Sequence, residues 1–202
     1  MTLTTAPTDL LLHSVGMHYS AADWAGLPND GNRYEIINGE MWASTAPSGY
    51  HQWILQLINE ALREQLFRTG VGFIFFAPMG VFMPGCDPVQ PDLFVVRQED
   101  RAAFRDRHVY GVPALIVEIL SPGSTSYDAQ VKLAAYARAG VPEYWIVRPT
   151  ERDALVHTEP EQATGQYLHV AHVRPDAVLQ SPTLPFAAPV AGFFAGAPDT
   201  TL

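Results

Sequence analysis

The alternation of apolar and polar positions divides the chain into short periodic segments. Residues 1–19 show no period and are expected to form a loose lead-in. Ser20, with Asp23 three residues on, marks a capped start for a short helix through Trp24 to Leu27. Tyr34-Glu35-Ile36-Ile37, then Asn38-Gly39, then Glu40-Met41-Trp42 spell a β-hairpin, because Asn-Gly suits the positive φ angles of a tight type I′ turn. Ser48 caps a predicted long helix reaching about Thr69. Its inward stripe is Ile54, Leu57, Ile58, Ala61, Leu62 and Gln65, and Gly70 is its stop.

From residue 71 the period shortens. Residues 71–77, 81–84, 92–97 and 113–120 are short β-branched and aromatic runs, as the buried centre of a sheet requires. A helix is predicted over 126–139, closed by Gly140 and Pro142, with a strand over 143–147 after it. That strand–helix–strand succession implies a parallel pair joined by a crossover. Edge strands are expected near 154–157 and 167–173, and residues 181–202 form a Pro-rich, apolar tail. The sum is one α/β domain over residues 20–180.

Composition narrows the function. Of 202 residues, 48% are apolar and 16% charged, which is ample for a core. The net charge of −9 argues against coating nucleic acid through bulk charge, though not against a small basic cleft. The single cysteine, Cys86, sits in a Gly85-Cys86-Asp87 turn and cannot form an internal disulfide. Residues 1–15 lack the basic start and apolar core of a secretory leader. The most apolar stretch, 71–84, is broken by Gly72, Pro78 and Gly80 and falls short of the ~18–20 residues of a membrane span. A soluble cytoplasmic protein is expected.

Two acids interrupt apolar strands: Asp92, directly after Pro91, and Glu118, inside Leu115-Ile116-Val117-Glu118-Ile119-Leu120. A carboxylate there is costly unless paired or bound to a cation. The following helix sets Asp128, Lys132 and Tyr136 at i, i+4 and i+8, on one face. Eleven of the twelve basic residues are arginine, and the one lysine is Lys132. A solvated Asp128–Lys132 pair, worth ~0.3–0.5 kcal/mol, is one explanation. The other is that the face looks onto the two acids, where two carboxylates and an ammonium equip a site for a hard divalent ion and for phosphoryl charge. Two such acids would repel each other, so Asp92→Asn is expected to leave the metal-free protein as stable or slightly more stable. Arg97, Arg101, Arg105 and Arg107 are interleaved with Glu99, Asp100 and Asp106 and read as a solvated loop.

Pro91-Asp92 followed by Glu118 resembles the PD-(D/E)XK signature of restriction-endonuclease-like nucleases. Within that superfamily, segments 34–40, 91–96, 117–125 and 128–147 resemble the Uma2 family. The resemblance implies a mixed β-sheet core flanked by helices, with an N-terminal hairpin, a C-terminal β extension and a metal site at the strand ends. It implies that Asp92, Glu118 and the backbone carbonyl of Ile119 hold Mg²⁺, with Mn²⁺ as a substitute. The superfamily's lysine would stand at Leu120, and Lys132 on the next helix takes its place. Lys132 would orient or deprotonate the attacking water, or offset charge on the scissile phosphate, and Glu35 would complete the site. His51, Asp128 and Tyr136 are weaker candidates. Arg148 departs from the family's aspartate and is read as peripheral. The implied activity is Mg²⁺-dependent endonucleolytic cleavage of DNA, by a homodimer joined through the tail's apolar residues. Two alternatives stay open: a weak or inactive nuclease-fold module that binds or regulates, and a hydrolase of a small phosphodiester.

Overall fold

The computed structural model describes residues 11–14, 16–121 and 127–197. In chain order these begin with β1 (Leu11–His13), helix α1 (Ala21–Ala25), the hairpin β2 (Arg33–Ile37) and β3 (Glu40–Ser44), and α2 (Gly49–Leu62), which runs on through one wide turn, Arg63–Phe67. Next come β4 (Gly72–Phe76), β5 (Val81–Met83), β6 (Cys86–Val89), β7 (Leu93–Arg97), β8 (Phe104–Arg105), β9 (His108–Tyr110) and β10 (Leu115–Ile119). A wide helical turn, Tyr127–Lys132, leads into α3 (Leu133–Ala139). The chain ends in β11 (Glu143–Arg148), β12 (Asp153–Glu161), β13 (Gln166–Val173) and the ribbon β14 (Val178–Gln180) and β15 (Ala187–Pro189).

The central sheet has the order β13-β12-β11-β10-β7-β4. Only β10 and β11 in it are parallel, the pair joined through α3. Strand alternation sorts its side chains onto two faces. Leu93, Val95, Val117, Trp145 and Val147 point one way and pack under Ile54, Ile58, Leu62 and Leu66 of the long helix. Phe94, Val96, Ile116, Tyr144 and Ile146 point the other way, against α3 and the second sheet. That sheet runs β1-β3-β2-β6-β5-β9-β8.

The predicted capping box at Ser20 and Asp23 forms. So does the Asn38-Gly39 turn, with φ of 52° and 82°. Gly140 ends α3 at φ 83°, where a Cβ would lie 2.4 Å from Gln162 Nε2.

Four expectations change. The buried stripe of the long helix is Tyr50, Ile54, Ile58, Leu62 and Leu66, while Leu57 and Gln65 are only half-buried. Cys86 is buried at the start of a strand, β6, and the turn before it is Pro84-Gly85. The segment read as a solvated loop contains a helical turn, Gln98–Ala103, and β8, with Arg97 donating to Thr183 O and Arg105 lying over the Tyr110 ring. The strand β12 is interior, so only β13 is an edge there. The tail also behaves differently. Leu184, Phe186, Val190, Phe193 and Phe194 are buried in the core under the long helix and offer no surface to a partner. Glu143 fastens this segment, accepting from Ser181 Oγ at 2.6 Å and Thr183 Oγ1 at 2.5 Å.

Candidate active site

The site grows from parity. Ile116 and Glu118 point to the same face of β10, so the apolar flanks of Glu118 carry its carboxylate into the core instead of out to water. Glu118 is 1% exposed. Opposite it, Lys132 and Tyr136 stand one helical turn apart, and both reach Glu118 Oε1 at 2.8 Å. Lys132 Nζ also meets Glu35 Oε2 at 3.1 Å. Glu35 Oε1 in turn accepts from the Gln90 backbone N–H at 2.7 Å. The lone lysine is thus 1% exposed and clamped between two buried carboxylates. The solvated-pair explanation fails for Lys132. The Asp128 side chain lies outside the described residues.

Asp92 occupies the turn immediately before β7 and closes the other half of the cluster. Its Oδ2 accepts from the Ile119 backbone N–H at 2.8 Å and contacts His51 Nε2 at 3.0 Å. Its Oδ1 accepts from Arg33 Nη1 at 2.8 Å, and the Asp92 N–H reaches Glu118 Oε2 at 3.4 Å. Ile119 therefore enters the site through its N–H. His51 belongs to the site, not to the surface. Arg148 pairs instead with Asp153, its partner in the β11–β12 register.

Burial by itself would raise the Asp92 carboxyl. The charges of His51 and Arg33 outweigh it and hold Asp92 well below the ordinary carboxylate range. Burial also opposes charge on Arg33, but Asp92, Glu35 and Glu118 more than compensate. Tyr136 is pushed well up by burial and then by the charges of Glu118 and Glu35, so it serves as a neutral O–H donor. Burial and the charge of Glu35 raise the Cys86 thiol, which removes it as a thiolate nucleophile.

Sequence reasoning missed Arg33. A signal was present: in a strand, Arg33 and Glu35 share a face, so an acid assigned to the site brings its i−2 neighbour along.

The sequence over residues 21–191 matches the family model Uma2, described as "Putative restriction endonuclease". The chain belongs to the Uma2 family. The fold of this Uma2 protein is shared with a solved structure described as "a putative nuclease belonging to DUF820" from Anabaena variabilis, at TM-score 0.73 and 17% identity, over 88% of this chain and 98% of that one. No curated protein matches it. Among the described residues, no helix is long and apolar enough to cross a membrane.

The donors can be tested against a divalent ion. Among the described residues no three His, Cys, Asp or Glu side chains converge as a metal-holding group; Arg33 pairs with Asp92, and Lys132 with Glu35 and Glu118. Mg²⁺ does not require such a cage; it is held by one or two carboxylates plus water and substrate phosphate. Asp92, just before β7, and Glu118, on the neighbouring β10, are hard oxygen donors, and Asp92 Oδ1 uses one of about two acceptor directions on Arg33. Three buried carboxylates face two permanent cations, Arg33 and Lys132, and the His51 ring stands against Asp92. The residues fit a hard cation. Asp92, Arg33 and His51 line a cleft of about 310 Å³ that opens to solvent.

Proposed function

We propose that this Uma2 protein is a Mg²⁺-dependent nuclease that hydrolyses DNA phosphodiester bonds. The observation that carries the proposal is the buried ladder Arg33–Asp92–Glu118–Lys132–Glu35, reached from solvent through the cleft at Asp92. Mg²⁺, held by Asp92 and Glu118, would supply Lewis-acid polarisation of the phosphoryl oxygen and an acidified water.

The chain's own residues do the rest. Ile119 N–H and His51 fix the rotamer of Asp92, and Tyr136 and Lys132 fix that of Glu118. Lys132 Nζ donates to two carboxylates, which is what an ammonium does, so the geometry supports charge compensation over removal of a proton from water. Glu35 keeps that ammonium in place. In the displacement, a water oxygen bonds to phosphorus as the P–O bond to the leaving oxygen breaks in line with it; the water gives a proton to solvent and the leaving oxygen takes one up, leaving a phosphomonoester and an alcohol.

The test is cleavage of a DNA panel with Mg²⁺, with Mn²⁺ and with chelator, using wild-type protein and Glu118→Ala. Metal-dependent cleavage that Glu118→Ala abolishes supports the proposal. Wild-type protein that binds DNA and cleaves none of it would establish a binding module instead.

A further inference from the structure

The cleft at Asp92 has an aromatic wall that the proposed chemistry does not use. Phe76 ends β4, in register with Leu93, and the Ala77 N–H donates to the Asp92 carbonyl at 3.3 Å, so the ring stands beside the cluster. Phe73 and Phe75 point to the opposite face and pack on Phe104 and Phe94. Phe76 is left 48% exposed and lines the cleft, beyond Leu55 and Gln52 of α2. On the other side, Arg33 spends only Nη1, on Asp92 Oδ1 and on Gln90 O at 3.3 Å. The rest of its fork has no acceptor among the described residues, and Arg33 also lines the cleft.

The dimensions and charge choose between substrates. At about 310 Å³ the cleft is near the lower end of small-ligand sites, room for roughly one nucleotide. Among the described residues Arg33 is its only permanently charged cation, in a chain of net charge −9. Duplex DNA presents a phosphate about every 1.7 Å of axis and is held by rows of Lys and Arg. A single strand asks for less: a flat apolar surface for an exposed base and a donor for its phosphate. We infer that the cleft seats one unpaired nucleotide, its base stacked on Phe76 and its phosphate on Arg33, so that the substrate is single-stranded DNA. The inference rests on the nuclease proposal and narrows it.

Fluorescence anisotropy of a short labelled DNA strand, alone and annealed to its complement, tests this without Mg²⁺, where cleavage does not compete. The single strand is expected to bind at least about tenfold more tightly than the duplex. Phe76→Ala should weaken single-strand binding by about 5- to 150-fold, whereas Phe76→Trp, which keeps a stacking face, should retain it. Melting curves establish that both variants fold. Duplex binding as tight as single-strand binding, or indifference to Phe76→Ala, overturns the inference. Cleavage distinguishes the two layers. Duplex cleavage that depends on Glu118 but not Phe76 keeps the nuclease and removes the single-strand subsite. Absence of any cleavage removes the nuclease, while the binding data still decide what the cleft holds.

Discussion

Replacing Lys132 by methionine keeps the length of the side chain and deletes its charge. Two carboxylates, Glu118 at 2.8 Å and Glu35 at 3.1 Å, then lose their shared cation while remaining 1% and 2% exposed. Removing one partner of a buried pair costs about 3–5 kcal/mol, because the remaining charge can neither be solvated nor leave. For a chain of this size each kcal/mol moves Tm by about 2–4 °C, so Lys132→Met should melt about 6–20 °C below wild type. The assay is calorimetry or urea unfolding of metal-free protein. The second variant, Lys132→Met with Glu35→Gln, removes one of the stranded charges and should recover part of the loss, which is the non-additivity expected of contacting groups. A loss under about 1 kcal/mol, with no recovery in the double variant, would place Lys132 in solvent and refute the buried cluster.

Three further outcomes follow from the same geometry. Asp92→Asn should now destabilise the metal-free protein by about 1.5–3 kcal/mol, since Arg33 and His51 supply the countercharge that the sequence alone did not reveal. Because the native Asp92 carboxyl is held low, that stability is full above the ordinary Asp value near pH 4 and drains as pH falls further; acid melts of variant and wild type should converge. His157, buried beside Tyr144 and Tyr167, is depressed by burial to about 4 from 6.5. The unfolded chain therefore takes up a proton that the folded one refuses, stability falls as pH drops from 6.5 towards 4, and His157→Phe should flatten that part of the Tm profile. Phe194→Ala should cost about 3–5 kcal/mol in urea unfolding, because the tail is core.

The strands and the acids were legible because both obey local rules. Alternation marks β7, β10 and β11, and a carboxylate inside such a run announces itself. The Asn38-Gly39 turn and the Gly140 stop are likewise properties of a few adjacent residues. What escaped was everything set by distant pairing. The Pro-rich tail reads as an apolar surface for a partner, yet Glu143 and the underside of the long helix hold it in the core. The long helix was given Leu57 and Gln65 because an ideal period was assumed, whereas the observed stripe advances in steps of four from Tyr50 to Leu66. Arg33 finds its partner only when β2 is brought to Asp92, and His51, a weaker candidate by sequence, only when α2 is.

The charge balance of the cluster explains how an acidic protein could act on an anion. Glu35, Asp92 and Glu118 carry three negative charges, which Arg33, Lys132 and His51 face. A phosphodiester approaching through the cleft adds another negative charge next to Asp92, in surroundings where charges are weakly screened. Arg33 cannot serve both anions fully, since one of its nitrogens is already committed to Asp92. A divalent cation between Asp92 and Glu118 would add two positive charges to the cluster, and the same phosphate would then be attracted more strongly. On this argument metal binding and substrate binding are one linked equilibrium. Mg²⁺ should tighten binding of DNA most in the wild type, and Asp92→Asn, which removes one of the two acids that would hold the ion, should bind DNA with much weaker dependence on Mg²⁺. Anisotropy titrations of both proteins across Mg²⁺ concentrations measure that coupling. Equal Mg²⁺ dependence in the two would separate the acids from the ion and leave the cluster a structural device.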